Sequence, residues 1–188
     1  CDVRFGWDLS NGPARRMPAA KLPPVEAAFT VAHVNEYVPL AGPFQSLLEL
    51  LSAQSTSYLE KLFYTEWKRR YYAPSAPALI PEVHRFSTAM DRCGARHFTY
   101  LDDKSVPHRG RIDFFVYNAQ AGVAAFIELD GQEAHKTPAQ RQVDAMKRNV
   151  CADAGIPLLV FTYDDVQNRL DKVMNGLDHL FRSTPDRS

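Results

Sequence analysis

Arg111-Ile112-Asp113-Phe114-Phe115-Val116-Tyr117, a link from Asn118 to Gly122, and Val123-Ala124-Ala125-Phe126-Ile127-Glu128-Leu129-Asp130-Gly131 form the stretch that decides the fold. Both apolar runs have strand length and are rich in aromatic and β-branched residues, and the short polar link between them predicts a hairpin. Each run also carries acid where the pattern is otherwise apolar: Asp113 in the first, Glu128 and Asp130 in the second. Burying a carboxylate costs several kcal/mol unless it is paired, hydrogen-bonded or bound to a metal. Two such acids on paired strands repel one another and call for a cation. Oxygen ligands with no cysteine beside them select Mg²⁺, with Mn²⁺ as a substitute. The plain alternative is a solvated or salt-bridged acid, with Asp113 pairing with Arg111 or Lys147.

Working outward, Gln140 to Ala154 predicts a helix with Val143, Met146, Val150, Cys151 and Ala154 on one face, ended by Gly155 and Pro157. Leu158 to Phe161 is an apolar run suited to a strand buried on both faces. The short link from helix to strand implies a right-handed crossover that sets the Leu158 strand parallel to the Val123 strand. A last helix is expected over about Asp165 to Phe181. Upstream, Ser57-Tyr58-Leu59-Glu60 has the form of a capping box, and Leu59, Leu62, Phe63 and Trp67 recur at helical spacing behind it. Lys68, Arg69 and Arg70 in the last turn suit the helix dipole. Prolines 74, 77 and 81 end that helix, and Val83 to Phe86 and His97 to Leu101 read as short strands. Residues 1–44, which hold Pro13, Pro18, Pro23, Pro24, Pro39 and Pro43, read as a linker or a strap over the core. The expected organisation is thus 1–44 strap, 45–182 a single α/β domain with a mixed central sheet flanked by helices, and a 183–188 tail.

The whole chain sets bounds on function. Its 188 residues suffice for one domain with a real core. It carries 22 basic and 22 acidic residues, so it is not a dedicated DNA-coating protein, while a carboxylate-metal enzyme needs no net positive charge. Three cysteines without C-x-x-C spacing fit neither a disulfide framework nor a zinc cluster, and a reducing, cytoplasmic site of action is the plain expectation. No apolar run is long enough to span a membrane. The chain opens on Cys1 rather than Met and reads as a piece of something longer.

The order of Arg111-Ile112-Asp113-Phe114, Glu128-Leu129-Asp130-Gly131, His135, Asp144 and Ala154-Gly155-Ile156-Pro157-Leu158-Leu159 resembles the PD-(D/E)XK superfamily of restriction-endonuclease-like fold. More closely, it is similar to small bacterial nuclease-like domains with an E-L-D-G signature, akin to the very-short-patch repair endonuclease. The resemblance covers roughly Ser57 to Phe161. It implies a metal-dependent nuclease in which Asp113, Glu128 and the backbone carbonyl of Leu129 hold Mg²⁺. Glu60 matches an acid placed beside the metal in many members. Asp130 stands where the common pattern has lysine, and Lys147 is the cation expected to replace it, against the alternative of a solvated partner for Asp144. His135 matches a histidine that acts as general acid or base or meets the phosphate, although its spacing is one residue longer than the family's. Lys136, Arg141, Arg148, Arg109 and Arg111 flank the site as candidate phosphate contacts.

The implied substrate is DNA, with RNA as the second choice. The implied setting is a repair or restriction enzyme, or a secreted antibacterial toxin domain whose partner is an immunity protein. The Asp130 departure keeps a catalytically inactive module that binds nucleic acid or protein as the alternative. A glycosidase using paired carboxylates ranks below both, because its sugar cleft needs aromatics that here alternate as strand core.

Overall fold

The strands predicted around Asp113 and Glu128 form the centre of the molecule. A computed structural model describes residues 30–41, 44–55, 57–83, 85–86, 96–97, 99–101, 107–118, 121–130 and 137–178. In chain order the helices are α1 (Val31–Ala41), α2 (Leu47–Gln54), α3 (Tyr58–Tyr71), α4 (Pro138–Asp153), α5 (Tyr163–Asn168) and α6 (Leu170–Leu177). The strands are β1 (Leu79–Val83), β2 (Arg85–Phe86), β3 (Arg96–His97), β4 (Thr99–Leu101), β5 (Pro107–Arg109), β6 (Ile112–Asn118), β7 (Val123–Asp130) and β8 (Leu158–Thr162). The expected tail, Leu180, Phe181, Cys1, Cys93 and residues 1–29 lie outside the described residues.

The main sheet runs β1-β6-β7-β8, with β2–β3 and β4–β5 as two small separate ladders. Its two central strands are the predicted hairpin, antiparallel, with Phe114 opposite Ile127 and Tyr117 opposite Ala124. Gly122 adopts φ +64°, and the Asn118 side-chain oxygen accepts the Ala121 N–H at 3.2 Å, so turn residues close the hairpin where the sequence placed them. The strand β8 lies parallel to β7, with Glu128 opposite Val160 and Asp130 opposite Thr162, as the crossover through α4 requires.

Helices cover both faces of this mixed sheet, and the fold is α/β. On one face Phe63 and Trp67 of α3, Val166 of α5, and Met174 and Leu177 of α6 pack with Phe114, Val116, Ala125 and Ile127. On the other, Cys151, Met146 and Val150 of α4 pack with Ile112 and Phe126. Ile112 and Phe114 would share a face in a regular strand. They enter different cores, which marks a local twist at Asp113 between them. Opposite that twist, the ladder pairs Pro81 with Phe114 and Val83 with Ile112 and passes over Glu82. Glu82 sits at φ +50°, the one non-glycine residue of positive φ among the described residues. Such a backbone costs on the order of 1–3 kcal/mol and tends to mark functional positions.

The helix α4 begins with a full capping box between Thr137 and Gln140 and carries Pro138 in its first turn. It ends on Gly155 at φ +69°, where the Ile156 N–H donates to the Cys151 carbonyl at 3.1 Å and the Gly155 N–H to that of Ala152 at 3.0 Å. This double closure needs a left-handed residue. Gly155→Ala meets no steric obstacle but strains the backbone by about 1 kcal/mol, which lowers the melting temperature by a few degrees in a thermal melt. An unchanged melt would mean that the helix end is not held as described.

The structure departs from expectation in three places. Val31–Ala41, expected to have little periodicity, is a helix, and its Val34 and Val38 enter the main core. Its start is tied down by N–H donation from Val31 to Ala76 and from Ala32 to Pro74. Pro81 does not end structure but lies inside β1, which is tolerated because β1 is an edge strand. The last helix is two helices, broken at Arg169, whose φ of −133° leaves the helical range while its guanidinium turns back onto Asp164 and Asp165.

Candidate active site

Three elements bring the acids together. The hairpin sets Asp113 and Glu128 on neighbouring strands, α4 lies over the sheet beside Glu128, and α3 starts with Glu60 near the Asp113 end. Asp113 is largely buried, and its Oδ2 accepts the Leu129 N–H at 2.8 Å. Neither Arg111 nor Lys147 pairs with it directly: Arg111 bonds Glu82 and Lys147 bonds Glu128. Burial raises the Asp113 pKa, opposed by the Leu129 hydrogen bond and aided by the charge of Glu60. Burial raises Glu128 as well, followed by the charge of Asp113, so each acid makes the other harder to ionise.

Glu128 is held from one side only. Its Oε1 accepts the Lys147 ammonium at 2.5 Å, while its Oε2 is buried with no hydrogen-bond partner. Lys147 is 8% exposed, so it is not the solvated helix lysine of the plain alternative. The spacing of α4 explains this: Lys147 and Cys151 are one turn apart and both point to the sheet. Cys151 beside them is inert as a nucleophile, its thiol pushed up to about 12 by burial and then by the Glu128 charge.

The remaining predicted residues divide clearly. Glu60 makes only the forward half of the expected box, its N–H donating to the Ser57 hydroxyl at 3.1 Å, and its charge reaches both Asp113 and Glu82. Asp130 closes β7 opposite Thr162. The charge of Asp144 reaches Glu128. His135, with Gly131 and Lys136, lies outside the described residues, and nothing is drawn from it.

Glu82 escaped the sequence reading. It is mostly buried on β1 and accepts from Arg111 Nη1 at 2.7 Å; burial raises its pKa, opposed by the Arg111 charge and aided by that of Glu60. The available signal was one acid inside the apolar run Leu79-Ile80-Pro81-Glu82-Val83, obscured by reading Pro81 as a breaker.

The donor set suits a hard divalent cation. Among the described residues no three His, Cys, Asp or Glu side chains converge to hold a metal by themselves. Mg²⁺ does not require that, since it commonly takes one or two carboxylates and keeps several waters. Asp113 and Glu128 supply two carboxylates, and the unpartnered Glu128 Oε2 is a buried acceptor in want of a positive partner.

Residues 107–177 match the model of a family described as a protein of unknown function (DUF2726). That segment runs from β5 to α6. It contains Arg111, Asp113, Glu128, Asp144 and Lys147, and leaves out β1 with Glu82 and α3 with Glu60. No curated protein and no solved structure matches the chain. No helix among the described residues is long and apolar enough to cross a membrane.

Proposed function

We propose that the chain is a Mg²⁺-dependent nuclease that hydrolyses phosphodiester bonds, with DNA as its substrate. The observation that carries this reading is Glu128: a buried carboxylate held by Lys147 on one oxygen, bare on the other, and crowded by Asp113. The PD-(D/E)XK resemblance over Ser57 to Phe161 supports it.

Asp113 and Glu128 would hold the ion, with the Leu129 carbonyl as the further ligand the resemblance implies. When bound, Mg²⁺ supplies Lewis acidity and a water of lowered pKa. The protein's own part is positioning and charge. The Leu129 N–H fixes the Asp113 carboxylate, and Lys147 fixes that of Glu128 while bringing positive charge to the site. The family's lysine, from the position occupied here by Asp130, orients the attacking water and stabilises charge on the phosphate. Lys147 brings a positive charge to the site from α4 instead, and this favours activity over an inactive binding module.

Purified chain with supercoiled plasmid and Mg²⁺, Mn²⁺ or EDTA tests the proposal, with RNA as a parallel substrate. Nicking that needs the metal supports it. A folded chain that cuts neither substrate in either metal, and takes up no Mn²⁺ by calorimetry, sinks it. Lys147→Met is expected to slow single-turnover cleavage about a hundredfold, as loss of one oriented charged donor does elsewhere. Lys147→Arg should restore part of the rate; a Met variant as fast as the parent removes Lys147 from the site.

Acidity sets a further expectation. Because burial raises both carboxyls, they keep their protons to higher pH than ordinary carboxylates and must lose them to bind metal. The acid limb of the rate profile should lie at least about one pH unit above the ~4 of a solvated carboxylate. A limb at the ordinary value would show that the pair is not the titrating group.

A further inference from the structure

Arg111 and Glu82 form a pair that the proposed chemistry leaves unused. Arg111 immediately precedes β6, two residues before Asp113, and its charge acts on the Asp113 carboxyl. Its side chain is 48% exposed, whereas that of its partner Glu82 is 18% exposed. The pair is thus anchored in the protein on the acid side and open to solvent on the guanidinium side. Glu82 engages Nη1 at 2.7 Å and leaves the rest of the planar fork available.

Stability alone does not account for this arrangement. An ion pair with so exposed a cation contributes little to folding. Yet the protein buries the Glu82 carboxylate and holds its backbone in a left-handed conformation, at the position the β1–β6 ladder passes over. The surroundings also present an electrostatic difficulty. A phosphodiester approaching Asp113 meets the negative charge of Glu60 beside it and those of Glu128 and Asp144 beyond, while Lys147 is committed to Glu128. Arg111 is a half-exposed cation beside them, and a guanidinium held along one edge by a carboxylate presents its other edge for two-point contact with phosphate oxygens.

We infer that Arg111 is the arm that takes the substrate phosphate at this site and that Glu82 is its positioning residue. The inference rests on the reading of the neighbouring carboxylates as a phosphodiester site. It selects one arginine from the several basic residues that flank them.

The test is binding of a short fluorescent DNA duplex in Ca²⁺ across a range of salt concentrations, with Mg²⁺-dependent cleavage measured separately. Arg111→Ala should weaken binding and flatten the slope of log affinity against log salt by about 0.9, the signature of one lost phosphate contact. Arg69→Ala, the same charge change at the far end of α3, should leave the slope alone. Glu82→Gly suits the left-handed backbone and keeps the fold, so several-fold weaker binding there, with recovery in Glu82→Gln, marks positioning of Arg111. A parent chain that binds DNA, with Arg111→Ala matching its slope, overturns this inference and leaves the nuclease reading intact. A Glu82→Gly chain that binds as the parent does overturns the role of Glu82. A parent that neither binds nor cuts DNA or RNA overturns both readings. Binding without cleavage, with the slope flattened, supports the phosphate arm and sinks the catalytic proposal.

Discussion

Asp113→Asn, freed of metal with EDTA at alkaline pH, is expected to unfold at a higher temperature than the parent chain, and on the proposed nuclease reading its metal-dependent cleavage of plasmid should fall about a thousandfold or more. Both effects have one cause. The Asp113 carboxyl is desolvated by burial, so its folded pKa lies above its unfolded value. Below the unfolded value both states hold the proton, and the acid imposes no penalty. As pH rises the unfolded chain ionises first, which draws the equilibrium toward unfolding, until the folded carboxyl has ionised too and the penalty is fully present. Asparagine keeps an oxygen to accept the Leu129 N–H and never ionises, so on the order of 2 kcal/mol of stability returns above that range. Added Mg²⁺ should narrow the gap by stabilising the parent alone. The expected loss of cleavage follows from the proposed role of Asp113, because a ligand to a catalytic ion contributes several kcal/mol to the transition state, at about 1.4 kcal/mol per tenfold in rate. Glu128→Gln should lose activity comparably. A variant that melts lower than the parent at alkaline pH in EDTA would show that the carboxylate stabilises the fold and is not strained there. Full activity in either variant would remove the pair from the chemistry.

Phe63→Ala has the largest effect expected on the fold. The ring is fully buried, with its centroid 5.6 Å from Phe114, 5.9 Å from Trp67 and 6.3 Å from Phe161. It therefore joins α3 to two strands of the sheet at once. Truncating a buried phenylalanine costs about 3–5 kcal/mol in lost transfer energy and residual cavity, which corresponds to a fall of about 10 °C or more in melting temperature for a domain of this size. Phe63→Leu should lose less than half of that. An alanine variant melting within a degree or two of the parent would mean that α3 does not pack on the sheet through this ring.

Much of this architecture was legible because the hairpin, α4 and β8 announce themselves through different physical signals. Apolar runs of strand length framed Asp113 and Glu128, Gly155 supplied the left-handed stop that α4 needs, and the apolar Leu158 to Phe161 run matched a parallel strand. That strand is not buried on both faces as expected, since Val160 is 43% exposed. Elsewhere proline misled. Val31, Val34 and Val38 lie at helical spacing, but neighbouring prolines hid the stripe, and Pro39 sits inside the helix at its exposed side. Pro81 likewise concealed β1, because only its edge position makes proline acceptable there. At the site, the sequence pointed to Asp113, Glu128 and Lys147, yet it gave no means of deciding which acid Lys147 would meet. That choice depends on how α4 is seated across the sheet. Glu82 was out of reach, since its relation to Arg111 is created by a pairing between distant parts of the chain and by one backbone conformation that carries no sequence signature.

The partnership of Val83 with Ile112 has a consequence for how such a chain can change over time. These two residues are direct neighbours across the sheet, so the chain leaves it after Val83 and rejoins it at Ile112 through a single doorway. Among the described residues between them, the β2–β3 and β4–β5 ladders contribute no strand to the main sheet. Lengthening a connection whose ends are already fixed adds little entropy, because loop closure grows only slowly with length. The excursion ahead of Arg111 can therefore grow, shrink or be exchanged while Asp113, just inside the doorway, keeps its place, which gives the fold a region where new surface can be tried beside a fixed pair of strands.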